Sequence, residues 1–163
     1  MTAARTDWRT AAIAAAVTIA VAVTGGLLTD IGPWYLSLRM PAWKPPDWLF
    51  GPAWTLIYTL TAIAVVRAWQ AAAAPAPRAQ LLAAVTLNAV LNVGWSGLFF
   101  ALRRPDWALV EVVFLWLSIV LLMLAVKRLR PRTALLLLPY LLWVAFAALL
   151  NLAVVRLNAP FGA

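Results

Sequence analysis

The 163-residue chain contains no cysteine and no histidine. The lack of both residue types excludes disulfides, thiol chemistry, the common zinc sites and serine–histidine–aspartate catalysis. It also excludes histidine ligation of haem iron, the commonest axial bond that a protein supplies. Tyrosine and methionine remain as possible iron ligands, but no spacing among them indicates a metal site. We therefore predict no metal and no fixed cofactor.

Charged residues are also scarce, at 11% of the chain, whereas 66% of the residues are hydrophobic. A soluble domain of this size cannot bury so much apolar surface. About 20 helical residues, at about 1.5 Å rise each, cross the roughly 30 Å hydrocarbon core of a bilayer. Five such segments use up the chain: about 9–28, 51–72, 79–102, 107–127 and 133–157. The predicted fold class is an all-α membrane protein, with residues 1–163 forming a single five-helix transmembrane domain.

The net charge of +8 does not predict nucleic-acid binding, because the basic residues lie at the ends of the apolar segments. Such placement is typical of charges that set membrane topology. Eight of them fall on the N-terminal side and five on the other: Arg5, Arg9, Arg67, Arg78, Lys127, Arg128, Arg130 and Arg132 against Arg39, Lys44, Arg103, Arg104 and Arg156. For insertion in an inner membrane, we expect a cytoplasmic N-terminus with the loop after the first span outside. We also expect the first segment to be retained as a helix, because its apolar run is longer than the apolar region of a usual signal peptide.

The first interhelical loop is aromatic and stiff rather than polar and flexible. Residues 34–58 read WYLSLRMPAWKPPDWLFGPAWTLIY. Pro41, Pro45 and Pro46 fix their own φ and push the preceding residues towards extended geometry. Trp and Tyr supply flat faces that each carry one polar group. The loop therefore predicts a rigid lid over a site for a flat, apolar ligand.

Helical spacing gathers aromatic and amide side chains on shared faces, because residues three or four apart lie on one side of a helix. The faces are Trp54 with Tyr58 on the second helix, Asn88, Asn92 and Trp95 on the third, and Trp143, Ala147 and Asn151 on the fifth. Amides in hydrocarbon need partners and turn inward. The pattern predicts an enclosed aromatic cavity with a few polar groups, covered by the loop.

Structural explanations compete with these functional ones. Trp8, Trp48, Trp69 and Trp107 lie at segment ends and suit the aromatic belts of membrane proteins. Asn88 and Asn92 are equally suited to tying helices together, and Gly97 with Ala101 to helix packing or a homodimer.

Two acidic features allow similar alternatives. Glu111 lies inside the fourth span, where a carboxyl is a functional hypothesis. It also lies near a helix start, within reach of water, Arg103 or Arg104. Asp30 and Asp47 bracket the loop and are expected to pair with Arg39 or Lys44 and fix the lid.

The order W-Y-x-x-L-x-x-P-x-W-x-P-P-x-W-x-F-x-P-x-W-x-x-x-Y resembles the signature of the tryptophan-rich sensory protein family. This family is also called the translocator protein or peripheral-type benzodiazepine receptor family. The resemblance extends from about Gly25 to Asn158. It includes Asn92 and Trp95 ahead of Phe99-Phe100, and later Pro139, Tyr140, Trp143 and Asn151. The chain is similar to the bacterial members.

The resemblance implies a five-helix protein, commonly a homodimer, that binds porphyrins such as protoporphyrin IX as ligands. It implies a sensor or regulator of porphyrin or stress metabolism. Alternatives are a light- and oxygen-dependent porphyrin-degrading enzyme and a porphyrin or lipid transporter. By position, Trp34 and Trp143 match the tryptophans linked to porphyrin breakdown. The positions matching the ligand pocket are Tyr35, Pro45, Trp54, Tyr58, Asn92, Ala147 and Leu150.

The leading hypothesis has a porphyrin stacking on Trp34, Trp54 and Trp143 beneath the loop. Asn92 and indole N–H groups would orient its polar edge, and basic loop residues would attract its propionates. The expected partners are this planar apolar ligand, membrane lipid and a second copy of the chain. The sterol motif of animal members lacks its tyrosine here, because Asn151 is followed by Leu152 and Ala153.

Overall fold

The structure is a computed structural model that describes residues 8–161, apart from the side chains of residues 9 and 10. Six α-helices occupy this range: α1 (Trp8–Leu28), α2 (Pro33–Ser37), α3 (Phe50–Ala71), α4 (Pro75–Ser96), α5 (Pro105–Leu129) and α6 (Leu138–Asn158). Two 3-10 turns, Asp47–Leu49 and Pro131–Leu137, precede α3 and α6, and a π-helical turn, Gly97–Ala101, follows α4.

Five helical segments are long and apolar enough to span a bilayer, which confirms the predicted five-helix membrane fold. They are Ala11–Leu28, Asp47–Ala71, Pro75–Ala101, Pro105–Leu129 and Pro131–Asn158. The short helix α2 lies in the connection between the first two spans. The chain is therefore an integral, multi-pass membrane protein. The expected cytoplasmic side rests partly on Arg5, which lies outside the described residues, and on Arg9, whose side chain does.

Prolines mark where three spanning helices begin, and one of these starts differs from the sequence prediction. The third span begins at Pro75, four residues before the predicted start at residue 79. Proline is tolerated there because a first-turn N–H has no intrahelical partner to lose. Pro105 and Pro139 occupy the same first-turn positions in α5 and α6.

The fifth span changes its winding just before Pro139. Pro131–Leu137 form a 3-10 turn, and α-helical winding starts at Leu138. Pro139 therefore lies in the first turn of α6, where the N–H that proline lacks would have no intrahelical partner.

The end of the third span also departs from a regular helix. The backbone N–H of Leu102 donates to the Gly97 carbonyl at 2.9 Å, and the N–H of Arg104 donates to Leu98 at 2.9 Å. Arg103 follows with a φ of 55°. A Cβ added to Gly97 would lie 3.9 Å from Leu28. Gly97 therefore lies close to α1 within the chain.

The core is packed with apolar side chains at one end of the bundle and contains a cavity at the other. Helix α5 supplies its most continuous buried face: Ala108, Val112, Leu115, Ile119, Leu122 and Val126. At the end away from the first loop, Leu122 and Val126 pack against Ala64, Ala68 and Leu81. Towards the loop, aromatic side chains such as Tyr140, Phe99 and Trp95 join the aliphatic ones in the packing. The cavity described below lies at this end of the bundle.

Glu111 does not make the contact expected of it. Arg104 instead pairs with Asp106 in the tight turn before α5, and Arg103 lies over the Trp34 ring. Both carboxyl oxygens of Glu111 are buried, and neither has a hydrogen-bond partner among the described residues. A buried polar group without a partner lowers the stability of the folded chain.

Replacing Glu111 with methionine is therefore expected to raise the free energy of unfolding by about 1 kcal/mol. Methionine fills a similar volume and has no group that needs a partner. The measurement is the thermal midpoint of the purified protein in detergent, with Phe114→Met on the exposed side of the same helix as the matched control. A lowered midpoint for Glu111→Met would mean that the carboxyl is held by a partner.

Candidate ligand-binding site

The loop between α1 and α3, residues 29–49, which we call the lid loop, is tied to the far end of the chain. The Asn158 side chain accepts a hydrogen bond from the Arg39 backbone N–H at 2.8 Å and donates to the Arg39 carbonyl at 2.9 Å. The same amide also donates to the Val154 carbonyl of its own helix. One side chain therefore fixes the middle of the lid loop to the last turn of α6.

A second set of contacts fixes the other half of the lid loop. Lys44 forms an ion pair with Asp47 at 2.6 Å, as the sequence predicts, and the Tyr35 hydroxyl donates to the same carboxylate at 3.1 Å. Burial, with a contribution from the Asp47 charge, raises the pKa of the Tyr35 hydroxyl above its ordinary value. Tyr35 therefore stays protonated and keeps donating. The other expected pair does not form, because Asp30 has no ion pair among the described residues.

Beneath the lid loop lies a cavity of about 420 Å³, within the size range of small-molecule sites. Residues of α1, α3, α4, α5 and α6 line it, together with Tyr35 and Asp47 of the lid loop. Six of the sequence-predicted ligand-binding residues meet at this wall: Tyr35, Trp54, Tyr58, Asn92, Trp143 and Ala147. The i,i+4 faces predicted on the second and fifth spans thus both contribute to it.

Aromatic rings form most of the rigid wall. Trp54 stacks on Tyr58 with ring centroids 5.2 Å apart and meets Tyr140 edge-on at 6.0 Å. Trp143 meets Phe50 edge-on at 5.6 Å. Such stacked and T-shaped pairs are each worth about 0.5–1.5 kcal/mol beyond their buried area. The wall is therefore preformed and presents flat faces.

A hydrogen-bond chain runs from the cavity into the core, and every donor in it points away from the cavity. The Tyr58 hydroxyl donates to Asn92 at 2.7 Å, and the Asn92 amide donates to the Tyr140 hydroxyl at 3.0 Å. Tyr140 donates to Asn88 at 3.2 Å, and Asn88 donates to Ser118 at 2.9 Å. Because the Tyr58 hydroxyl already donates to Asn92, any further hydrogen bond to it is accepted by its oxygen lone pairs.

A separate amide holds the loop-side end of the bundle. The Asn151 side chain accepts from the Trp95 indole N–H at 3.2 Å and donates to the Pro105 carbonyl at 2.8 Å. It thereby joins α4, α5 and α6 next to the cavity. Asn88, Asn92 and Asn151 each bridge helices, so the interhelical role weighed for the first two is observed, and Asn92 also reaches the cavity wall.

Three predicted site residues lie away from the cavity wall: Trp34, Pro45 and Leu150. Trp34 packs edge-on against Phe99 at 6.1 Å, with the Arg103 guanidinium 5.9 Å from its ring centroid. Phe99 in turn stacks on Trp95, a wall residue, at 5.1 Å. Trp34 is therefore connected to the cavity through two rings rather than placed in it.

Several wall residues were missed in the sequence. Ala22, Gly25 and Gly26 of α1 line the cavity, as do Phe50 and Phe100. The small residues at 22 and 26 are one turn apart, which was a usable signal for a face closely approached by something else. Phe50 and Phe100 lie where regular helices begin or end, so periodicity did not mark them.

The tryptophans read as interfacial belts are mostly on the surface. Trp48 is 72% exposed and Trp107 is 51% exposed, with the Arg104 guanidinium 4.2 Å from the Trp107 ring centroid. Trp69 is half-buried, and Arg78 lies 5.3 Å from its ring centroid. Within residues 8–161, no group of three or more acidic side chains is placed to hold a metal ion.

Fold and cavity together define a polytopic membrane protein with a preformed aromatic pocket closed by a tryptophan- and proline-rich loop. Comparison with known proteins identifies the family to which the chain belongs. Residues 13–157 match the model of the TspO/MBR family, and the chain belongs to that family.

Relatives come from bacteria, archaea and animals. The chain is 39% identical to the tryptophan-rich protein TspO of Chlorobaculum tepidum over 91% of its own length and 96% of the relative's. It is 35% identical to the tryptophan-rich sensory protein of Cereibacter sphaeroides, over 93% of both chains. The human translocator protein is 33% identical, over 77% of this chain and 75% of its own.

Proposed function

We propose that this chain is a membrane tetrapyrrole-binding protein that acts as a sensor or regulator of porphyrin or stress metabolism, with protoporphyrin IX as the type of ligand. The observation that carries the proposal is the preformed aromatic cavity between the Trp54–Tyr58 stack and Trp143. Flat aromatic faces bind a planar conjugated ring by dispersion and offset stacking. Family membership supports the same ligand class.

The polar groups of the wall suit a ligand that carries N–H groups at its centre. Tyr58 lines the cavity, and because its hydroxyl donates to Asn92, its oxygen would act towards the ligand as an acceptor. Asn92 accepts from Tyr58 and donates one amide N–H to Tyr140, so it positions Tyr58. Its second amide N–H would orient the ligand's polar edge. We expect Arg39 of the lid loop, which forms no ion pair within residues 8–161, to attract the ligand's carboxylates, whereas the charge of Lys44 is already paired with Asp47.

The proposal is tested by titrating protoporphyrin IX into the purified protein in the dark and following the porphyrin absorption bands. Saturable binding is expected, and it should survive in the Trp34→Phe, Trp143→Phe double variant because phenylalanine retains a flat face at position 143. Absence of saturable binding to the wild-type chain would overturn the proposal.

A second candidate function is light-driven oxidative breakdown of the bound porphyrin, with oxygen as the oxidant. It is favoured by the ring contacts that join Trp34 to the cavity wall through Phe99 and Trp95, with Trp143 in the wall itself. The Asp47 carboxylate at the cavity wall is engaged by Tyr35 and Lys44, so such chemistry would depend on the excited ligand. Illumination separates the two functions. Loss of the porphyrin bands that stops in the double variant supports an enzyme, whereas unchanged bands support a sensor.

We also propose that the chain forms a homodimer in a bacterial cell membrane. The support is the outer face of α1, which leaves large apolar side chains such as Ile13, Ile19 and Leu27 exposed. Size-exclusion chromatography with light scattering in detergent measures the protein mass, and a single-chain mass would contradict this assembly.

A further inference from the structure

A groove on the outer surface of the bundle shares no lining residue with the cavity. It lies between lid-loop residues 40–43 and the outward side of α6, and its volume is about 800 Å³. Nine of its lining residues are apolar and one is charged: Met40, Pro41, Ala42, Trp43, Phe146, Leu149, Leu152, Ala153, Leu157 and Arg156.

The apolar part of the groove faces the membrane. Its α6 residues lie within the span Pro131–Asn158, and Leu149 is 61% exposed. From Phe146 to Leu157 the groove runs about 16 Å along the helix. On the other side it is bounded by Trp43, whose ring meets Phe146 edge-on at 5.8 Å. The groove is therefore open to the hydrocarbon of the membrane and bounded on one side by the lid loop.

Of the described residues, Arg156 is the one charged residue that lines the groove, and it lies at one end of it. It lies in the last turn of α6, where the span reaches the membrane surface, and its side chain is exposed. Across residues 8–161 the Arg156 guanidinium has no hydrogen bond and no ion pair. The two carboxylates of this range that form ion pairs are taken by other cations, Asp47 by Lys44 and Asp106 by Arg104.

From this geometry we propose that the groove binds one anionic phospholipid, with an acyl chain along Trp43, Phe146 and Leu149 and the headgroup phosphate on Arg156. Guanidinium groups bind phosphate oxygens through two parallel hydrogen bonds. An arginine at a helix end places its charge at headgroup depth while its stem stays on apolar surface. The depth of Arg156 and the direction of the groove therefore match a lipid that stands in the leaflet.

The charge favours this occupant over two others. A sterol hydroxyl is neutral and leaves the arginine without a counter-ion. A second copy of the chain carries a net charge of +8 and only five acidic residues, so it brings little negative charge to the groove. An anionic headgroup supplies Arg156 with the counter-ion that the described residues do not provide. This proposal holds whatever ligand the cavity takes.

The test measures lipid retained by the full-length protein in native mass spectrometry. Phosphatidylglycerol and phosphatidylcholine with identical acyl chains are compared. Wild-type protein is expected to retain phosphatidylglycerol preferentially, and Arg156→Gln to reduce its apparent affinity by about tenfold, because one charge-assisted contact is lost. The matched control is Arg132→Gln, an exposed arginine beside no such groove, which should keep the preference. Ala153→Phe, which fills the groove and leaves Arg156, should also reduce retention.

Three results would overturn the proposal. Equal retention of the two lipids by wild-type protein would show that the groove does not select a charge. Equal losses in Arg156→Gln and Arg132→Gln would show that any surface arginine serves. Because the chain has no cysteine, a single Leu149→Cys substitution also reports on the occupant. Efficient disulfide formation between two copies in a phosphatidylglycerol bilayer would show that protein, not lipid, covers the groove.

Discussion

Replacing Trp54 with alanine is expected to weaken protoporphyrin IX binding by about 10- to 100-fold, the largest single effect on the proposed ligand. Trp54 supplies a flat face to the cavity and also holds Tyr58 by stacking at 5.2 Å. Its loss removes a stacking surface and frees the ring that carries the cavity's acceptor oxygen. The measurement is the Kd from the shift of the porphyrin absorption bands, which does not depend on tryptophan fluorescence.

The matched control for Trp54→Ala is Trp107→Ala. Trp107 is 51% exposed and contacts Arg104 outside the cavity, so its loss removes the same amount of side chain without touching the proposed site. Porphyrin affinity should be unchanged in this variant. If the two variants lose affinity equally, the ligand lies in the aromatic belt and not in the cavity.

The second large effect is expected on stability. Asn92→Leu should lower the free energy of unfolding by about 1–3 kcal/mol, because it leaves the hydroxyls of Tyr58 and Tyr140 each without one partner. Tyr140 is almost fully buried, so water does not replace the lost bond. Reversible unfolding in mixed micelles gives the free energy. Thr59→Val is the control, since the Thr59 hydroxyl is exposed and bonds only within its own helix.

A double-mutant cycle identifies the cause of that loss. Tyr140→Phe and Asn92→Leu remove the two ends of one hydrogen bond at 3.0 Å. If the chain acts as a unit, the double variant should lose less stability than the two single variants together, because the second change strands fewer groups. Additive losses would show that each side chain contributes through packing alone.

The spans and their inward faces were predictable because hydropathy and helical period act along the chain. Trp54 with Tyr58, and Trp143 with Ala147, required only i,i+4 spacing to be placed together, and both pairs line the cavity. The interhelical asparagines were predictable for the same reason, since an amide in hydrocarbon has to find a partner.

The contacts that depend on the distance between helices were not predictable from the sequence. Trp34 and Tyr35 are neighbours in the chain, yet Tyr35 faces the cavity and Trp34 packs on Phe99. A short helix in a proline-rich loop has no period long enough to fix its rotation. Likewise, Glu111 is several residues from two arginines in sequence. In the folded chain, however, Arg103 lies over the Trp34 ring and Arg104 pairs with Asp106.

The bond between Asn158 and Arg39 joins residues 119 positions apart, and this has a consequence for biosynthesis. A chain emerging from the ribosome inserts its first four spans before Asn158 exists. The middle of the loop between the first two spanning helices therefore lacks this anchor until the last turn of the final helix is made. The lid loop is therefore among the last parts of the molecule to complete its contacts. A nascent chain stalled before its final turn would contain nearly all of the residues that line the pocket but would lack the hydrogen bonds between Asn158 and the lid loop.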